Sequence, residues 1–224
     1  MHSTLQRTTI IAAAAALAVG IGSLVAVGCE GDDSAVVPRS SVATATEDET
    51  SVSGAPTLTV AAAPLRVKLG RLAGNLPPSK RRPVVKRIGS VVDAWFAGAF
   101  VDGDYPREDF ARGFAGFTAG AARQAQRQEV VTTNAALGSD LVEVVPTRRL
   151  VRLSVFAPHR RAAGATADVS LVLVGLRQDQ SQVEVAVTGQ LFLTKDSGWR
   201  IFGFDVRRSV GAVGAYARSK QDRR

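Results

Sequence analysis

The segment QVEVAVTGQLFLT, residues 182–194, shows most clearly which type of fold the chain adopts. Apolar and polar side chains alternate along it, as they do in a strand with one buried face. The apolar set is Val183, Val185, Val187, Leu191 and Leu193, and the polar set is Gln182, Glu184, Thr188, Gln190 and Thr194. Gly189 interrupts the pattern, and a glycine inside a strand permits a bulge or a sharp bend. The segment therefore predicts a long, bent strand.

Three further segments around it have the same period of two, which predicts four successive strands. They are RRLVRLSVFAP (148–158), ADVSLVLVGL (167–176) and GWRIFGFDVRRS (198–209). ADVSLVLVGL is apolar on nearly both faces, which is typical of a central strand. Residues 57–74 alternate only briefly and are interpreted as a short strand or an extended lead-in.

The residues between this lead-in and the four strands have the helical period instead. After Pro83, which suits a first helical turn, apolar residues recur at spacings of three and four up to Ala99. A second stripe, Phe110, Phe114, Phe117 and Ala121, predicts another helix that begins near Pro106, and Thr118 is expected to cap a short helix after it. Helices followed by four strands predict an α+β domain in which the helices cover one face of a strongly curved antiparallel sheet.

The first 28 residues have the layout of an export signal. The apolar run of residues 10–28 has no charged residue and follows Arg7. The run ends at Cys29, the only cysteine of the chain. Ala26–Cys29 resembles the lipobox of bacterial lipoproteins, and this resemblance implies a lipid on Cys29 and attachment to the outer face of the cytoplasmic membrane. Two alternatives stay open: an uncleaved transmembrane anchor of about 20 residues, and an unmodified thiol.

The charge of the chain is divided unevenly along its length. Residues 29–55 contain six acidic residues and one basic residue, without aromatic residues, and are expected to form a disordered acidic tether. From Pro56 onward there are 26 basic and 14 acidic residues, a net charge of +12. We expect a folded domain over residues 56–210 and a basic C-terminal tail over residues 211–224.

Two segments carry a family resemblance, VVDAWFAGAFVDGDYPREDFARGFAGFT (91–118) and GQLFLTKDSGWRIFGFDV (189–206). In this order they resemble the nuclear transport factor 2-like superfamily, and most of all its exported actinobacterial lipoproteins and the proteins associated with mammalian-cell-entry lipid importers. The matching positions are Trp95, Gly103, Asp104, Tyr105, Pro106, Phe114, Phe117, Thr118, Gly189, Trp199, Gly203 and Asp205. The resemblance covers about residues 80–210 and implies a cone-shaped, cystatin-like α+β domain. It implies no catalytic residue, since a fold does not fix an activity. The importer-associated proteins usually have uncleaved anchors, and Cys29 departs from that pattern.

Residues with catalytic chemistry are few. The chain has no zinc-ligand spacing, no phosphate-binding glycine loop and no G-x-S-x-G motif, so neither a metal nor a cofactor is predicted. His159 lies between two predicted strands, which is most simply a solvated turn. Asp205 and Tyr105 are the candidates for the alternative of an isomerase-like or cyclase-like enzyme.

Binding is the favoured interpretation, and two sets of residues are candidates for it. The ligand-cavity candidates are Trp95, Phe96, Phe110, Phe114 and Phe117, for a lipid-like molecule or an envelope partner protein, with simple core packing as the alternative. The candidates for an anionic surface are Lys80, Arg81, Arg82, Lys86 and Arg87. An exported domain rarely meets nucleic acid, so anionic lipid headgroups are the expected partner. A homodimer formed through the outer face of the sheet is a further alternative.

Overall fold

The computed structural model of the protein describes residues 57–222. Within these residues, four α-helices and five strands follow one another. In order they are β1 (Leu65–Gly74), α1 (Pro78–Phe96), α2 (Ala119–Arg127), α3 (Glu129–Thr132), β2 (Leu141–Ala157), β3 (Gly164–Arg177), β4 (Gln182–Lys195), β5 (Trp199–Gly211) and α4 (Ala215–Gln221). A π-helical turn (Ala97–Val101) extends α1, and short 3-10 turns occupy Ala111–Phe114 and Pro158–Arg160.

The strands form one open sheet in the order β1-β2-β3-β4-β5. The pairs β2–β3, β3–β4 and β4–β5 are antiparallel, so the prediction of four successive antiparallel strands is confirmed. Residues 57–74, predicted as a short strand or an extended lead-in, contain β1, which joins the sheet and pairs with β2 in parallel. The helices lie between these two strands in the chain, and a connection of that length allows parallel pairing. The protein is thus a mixed α+β domain with a mostly antiparallel sheet.

One face of the sheet, here called the inner face, packs against the helices. Ile88, Val92 and Trp95 of α1 are buried with Leu171 and Val187 of the sheet in one continuous core. The opposite side is called the outer face. Two segments cover part of it: Leu58 packs on Val174 and Leu176, and α4 lies beside β4.

Two of the three predicted helices differ from the prediction in where they begin or in length. Helix α1 starts at Pro78, and Pro83 lies inside it. The helix expected from Pro106 is reduced to the turn at 111–114, because the Arg107 side chain donates hydrogen bonds to the carbonyl oxygens of Gly98, Asp102 and Asp109 and holds this segment as a loop. The predicted Thr118 cap is confirmed, since its side chain accepts a bond from the Ala121 N–H.

Both Gly189 and Gly203 lie inside strand patterns that permit a bulge or a bend, and the β4–β5 pair has its bulge beside Gly203. The register of β4 and β5 shifts between Phe192 and Leu193, whose partners are Gly203 and Ile201. Gly189 instead has a φ of 145° and lies directly against the backbone of β5. Within residues 57–222, no helix has both the length and the apolar character that crossing a bilayer would require.

Candidate functional site

The most strongly charged part of the described chain is built by β1 and α1. Residues 57–92 contain eight basic residues and no acidic residue. All eight are exposed. They are Arg66, Lys68 and Arg71 on β1 and Lys80, Arg81, Arg82, Lys86 and Arg87 on α1, and together they are called the basic side. Gly89 of α1 lies so close to Val67 of β1 that an added Cβ would be 2.9 Å from Val67 Cγ2. The two elements are therefore neighbours at the β1 edge of the sheet. Val67 faces α1, and Arg66 and Lys68, which alternate with it, point to the opposite face.

Within residues 57–222, no carboxylate forms an ion pair with the basic side. Two ion pairs occur among the described residues, Arg149–Asp93 and Arg177–Asp140, and neither involves a residue of the basic side. Of the five cations on α1, Arg81 donates from Nε to the Leu76 carbonyl oxygen at 3.0 Å, which leaves its charge in place. Unpaired cations on adjacent elements create a positive potential that attracts anions.

The five ligand-cavity candidates are all buried. Trp95 is the centre of the group, with ring centroids 5.3 Å from Phe96 and 6.5 Å from Phe117, and Phe114 lies 5.7 Å from Phe117. Phe110 lies apart, under the Arg107 guanidinium at 4.3 Å. Rings at these distances fill the space between helices and sheet with one another, which favours a structural role. Their contact with a ligand stays a prediction.

The inner side also contains a polar cluster that the sequence did not indicate. The Tyr105 hydroxyl donates to the Phe100 carbonyl oxygen at 2.9 Å and accepts from Asn134 Nδ2 at 3.3 Å. Arg208 follows Phe204 and Val206 on the inner face of β5, and its buried Nε and Nη2 have no hydrogen-bond partner among residues 57–222. Burial lowers the pKa of Arg208, and Tyr105 opposes this effect. The alternation of Phe204, Val206 and Arg208 was the available signal for the position of Arg208.

The two catalytic candidates lie on opposite sides of the sheet. Asp205 is exposed on the outer face, where it pairs in register with Gln190, and Tyr105 belongs to the inner cluster. Burial raises the pKa of Tyr105, so the phenol stays protonated near neutral pH and is a poor base. His159 is exposed in the turn after β2. Among residues 57–222, no three side chains of His, Cys, Asp or Glu meet as a metal-ligand group.

Replacing Tyr105 with phenylalanine is expected to lower the free energy of unfolding by about 1 kcal/mol near neutral pH, because the bond to Phe100 is lost. The pKa of Tyr105 is raised above its ordinary 10.0. The stability given by the protonated phenol is therefore complete below pH 10 and is lost as the pH rises through the folded pKa. In urea unfolding, the difference in free energy of unfolding between wild type and Tyr105→Phe should be smaller at about pH 11 than at about pH 8. If that difference were the same at both pH values, the Tyr105 hydroxyl would not be buried and hydrogen-bonded as the structure has it.

The outer face has one aromatic patch, near the turn that joins β2 and β3. Phe156 and Phe202 are 56% and 54% exposed. With Phe192, whose ring centroid is 6.4 Å from that of Phe202, they line a cavity of about 360 Å³. This patch is the apolar surface through which the predicted homodimer would form, and the homodimer stays a prediction.

Cys29 lies outside the described residues, as do the export signal and all of the acidic tether. For the chain as a whole, comparisons with models of protein families, with curated proteins and with solved structures gave no match.

Proposed function

We propose that this protein is an exported, membrane-tethered, non-enzymatic domain that holds its basic side against an anionic membrane surface. The observation that carries the proposal is the set of eight exposed cations on β1 and α1, within residues 57–92, which contain no acidic residue. Each basic residue near such a surface adds up to about 1 kcal/mol to binding. An α+β domain with helices on one face of the sheet is also compatible with the cone-shaped, cystatin-like fold that the family resemblance implies, and we include this fold in the proposal.

The first part of the chain supplies the second half of the proposal. A lipid on Cys29 followed by a flexible segment of residues 30–55 would keep the domain close to the bilayer, since a flexible chain of that length spans roughly 25–30 Å. A single acyl chain binds membranes only reversibly, and a polybasic patch is the kind of second signal that makes attachment durable. The lipid and the basic side would thus act together, and an envelope protein near the membrane is the partner that such a position makes accessible.

The experiment compares vesicle binding of two variants with equal charge. Residues from Val52 onward form one compact unit with its own core. A chain that begins at Val52 is therefore used for the vesicle-binding assay. The first variant replaces Lys80, Arg82, Lys86 and Arg87 with alanine and keeps Arg81, which bonds to Leu76. The control replaces four exposed basic residues elsewhere, Arg123, Arg127, Arg161 and Lys195.

The unchanged domain is expected to bind phosphatidylglycerol-containing vesicles and not to bind pure phosphatidylcholine vesicles. It should dissociate as the salt concentration is raised. The α1 variant should bind about 100-fold more weakly in a sedimentation assay, and the control should lose much less. Equal binding to both kinds of vesicle would refute the proposal. Equal losses in both variants would show that net charge, and not the basic side, drives binding.

A further inference from the structure

A groove between β1 and β2 is lined by basic residues, and no carboxylate of the described part of the chain lines it. Its volume is about 380 Å³, within the range of small-molecule sites, about 300–1,000 Å³. The lining residues are Ala63, Pro64, Arg66, Lys68, Thr147, Arg148, Arg149 and Leu150. Four of these eight carry a positive charge. The groove therefore has the size of a ligand site and the charge of an anion site.

The pairing of β1 with β2 creates this groove. Leu65 and Val67 pack against the core, so Arg66 and Lys68, which alternate with them, point to the outer face. The parallel register places Arg66 opposite Leu150. The Ala63 N–H donates to the Pro146 carbonyl oxygen at 2.7 Å and fixes the segment that forms one end of the groove.

Arg148 is held in place by its neighbours before any ligand arrives. Its Nε donates to Ser170 Oγ at 3.0 Å, and its guanidinium lies 5.9 Å from the ring of Tyr216. Tyr216 is fixed in turn, since its hydroxyl is 3.0 Å from Ser170 Oγ and its N–H donates to Glu184. The terminal nitrogens of Arg148 make no hydrogen bond among the described residues, so a preorganised pair of donors stays free for an oxyanion.

The acidic residues of α1, β3 and β4 already have partners. Asp93 pairs with Arg149. Asp168 accepts a bond from Gln190 Nε2 at 2.8 Å, and Glu184 accepts the N–H groups of Gly214 and Tyr216 at the start of α4. Arg66, Lys68 and Arg148 have no carboxylate within ion-pair distance among residues 57–222. An anion in the groove would therefore meet three cations that are not ion-paired with any carboxylate of residues 57–222.

We propose that this groove binds a phosphate-type oxyanion and that its ligand is the phosphate of an anionic lipid headgroup. This identification of the ligand rests on the proposed membrane function, whereas the anion site itself rests on the groove alone. Arg66 and Lys68 attract the phosphate from the exposed rim, and Arg148 donates to it from the floor. The remaining volume accommodates the part of the headgroup next to the phosphate.

The test uses the chain from Val52 onward and two double variants. Arg66→Ala with Lys68→Ala removes the rim cations, and Arg161→Ala with Lys195→Ala is the control. The control removes the same two residue types from exposed positions near the β2–β3 turn, about 20 Å or more from the groove along β2. The probes are inorganic phosphate, followed by amide NMR, and vesicles of phosphatidylglycerol in phosphatidylcholine.

Phosphate is expected to shift the amide signals of residues 63–68 and 147–150, and the rim variant should raise its Kd about tenfold while the control changes it less than twofold. The rim variant should also bind the anionic vesicles about tenfold more weakly than the control. Shifts spread over the whole surface, or equal losses in the two variants, would overturn the groove proposal.

The same experiment separates the two proposals. If the α1 variant loses vesicle binding but phosphate produces no localised shifts, the groove proposal is overturned and the proposed function stands. If phosphate binds in the groove but the domain does not prefer anionic vesicles, the anion site is supported as a site for soluble phosphate compounds, and both the lipid identification and the proposed function fail.

Discussion

Replacing Gly189 with alanine is expected to destabilise the domain severely. Gly189 has a φ of 145°, a backbone conformation that residues with a Cβ rarely adopt, and an added Cβ would lie 2.1 Å from the Asp205 carbonyl oxygen and 2.7 Å from Val206 Cα. Both atoms belong to the backbone of β5, so no side-chain rotation relieves the overlap. Backbone strain of this kind costs about 1–3 kcal/mol, and displacing β5 adds to it. Because whole domains are stable by only about 5–15 kcal/mol, we expect a loss of at least about 4 kcal/mol.

Gly203 supplies the matched control for this substitution, since it is also a glycine in the β4–β5 pair. An alanine Cβ there would meet Phe192 Cδ2 at 3.4 Å, an ordinary contact. We expect Gly203→Ala to change the free energy of unfolding by less than about 1 kcal/mol. Urea unfolding followed by circular dichroism measures both variants. Similar midpoints for the two would show that β4 and β5 do not approach as closely at Gly189 as the structure has them.

Replacing Trp95 with alanine is expected to cost about 4 kcal/mol, within the range for a large buried aromatic residue. Trp95 is 1% exposed, and its ring contacts Phe96, Phe100 and Phe117. Its indole Nε1 also donates to the Thr132 carbonyl oxygen at 3.2 Å and joins α1 to the end of α3. The substitution therefore leaves a cavity and removes a buried hydrogen bond at once.

A second variant separates these two contributions, and a third serves as a control. Trp95→Phe keeps most of the ring volume but loses the bond to Thr132, so about 1–2 kcal/mol of the loss should remain. Phe202→Ala removes an aromatic ring that is 54% exposed, and its effect on unfolding should stay below about 1 kcal/mol. If thermal unfolding gave Trp95→Ala and Phe202→Ala the same midpoint, Trp95 would not be the centre of the core.

The sequence predicted the parts of the fold that depend on local periodicity. The alternation in residues 182–194 and in its neighbours was sufficient for β2 to β5, because a strand with one buried face must alternate. Thr118 was identified as a cap because a hydroxyl at that position satisfies a free N–H of the next turn. The apolar stripe that contains Trp95 placed α1 correctly, although Pro83 suggested a start five residues too late.

The features that local periodicity missed depend on distant residues. The alternation of Leu65 and Val67 does not indicate that β1 pairs with β2 in parallel, because the partner of a strand and the direction of pairing depend on the whole chain. The loop around Arg107 is held by bonds from one side chain to three carbonyl groups, which a helical stripe does not reveal.

The same distinction between local and distant residues applies to the candidate sites. The five cations of α1 were visible as a charge cluster, but the groove was not, because Arg66 and Arg148 meet only through the register of β1 and β2. The cluster of Tyr105, Asn134 and Arg208 likewise joins three separate parts of the chain.

The position of β1 at the edge of the sheet has a consequence for the behaviour of the protein at high concentration. An edge strand presents free N–H and C=O groups to which a second chain can add, and this is a common route to aggregation. Arg66, Lys68 and Arg71 place three like charges along β1, so two copies that approach edge to edge repel each other. Anions that neutralise these charges weaken the repulsion. Copies crowded together on an anionic surface are therefore less protected from strand-to-strand association than copies free in solution.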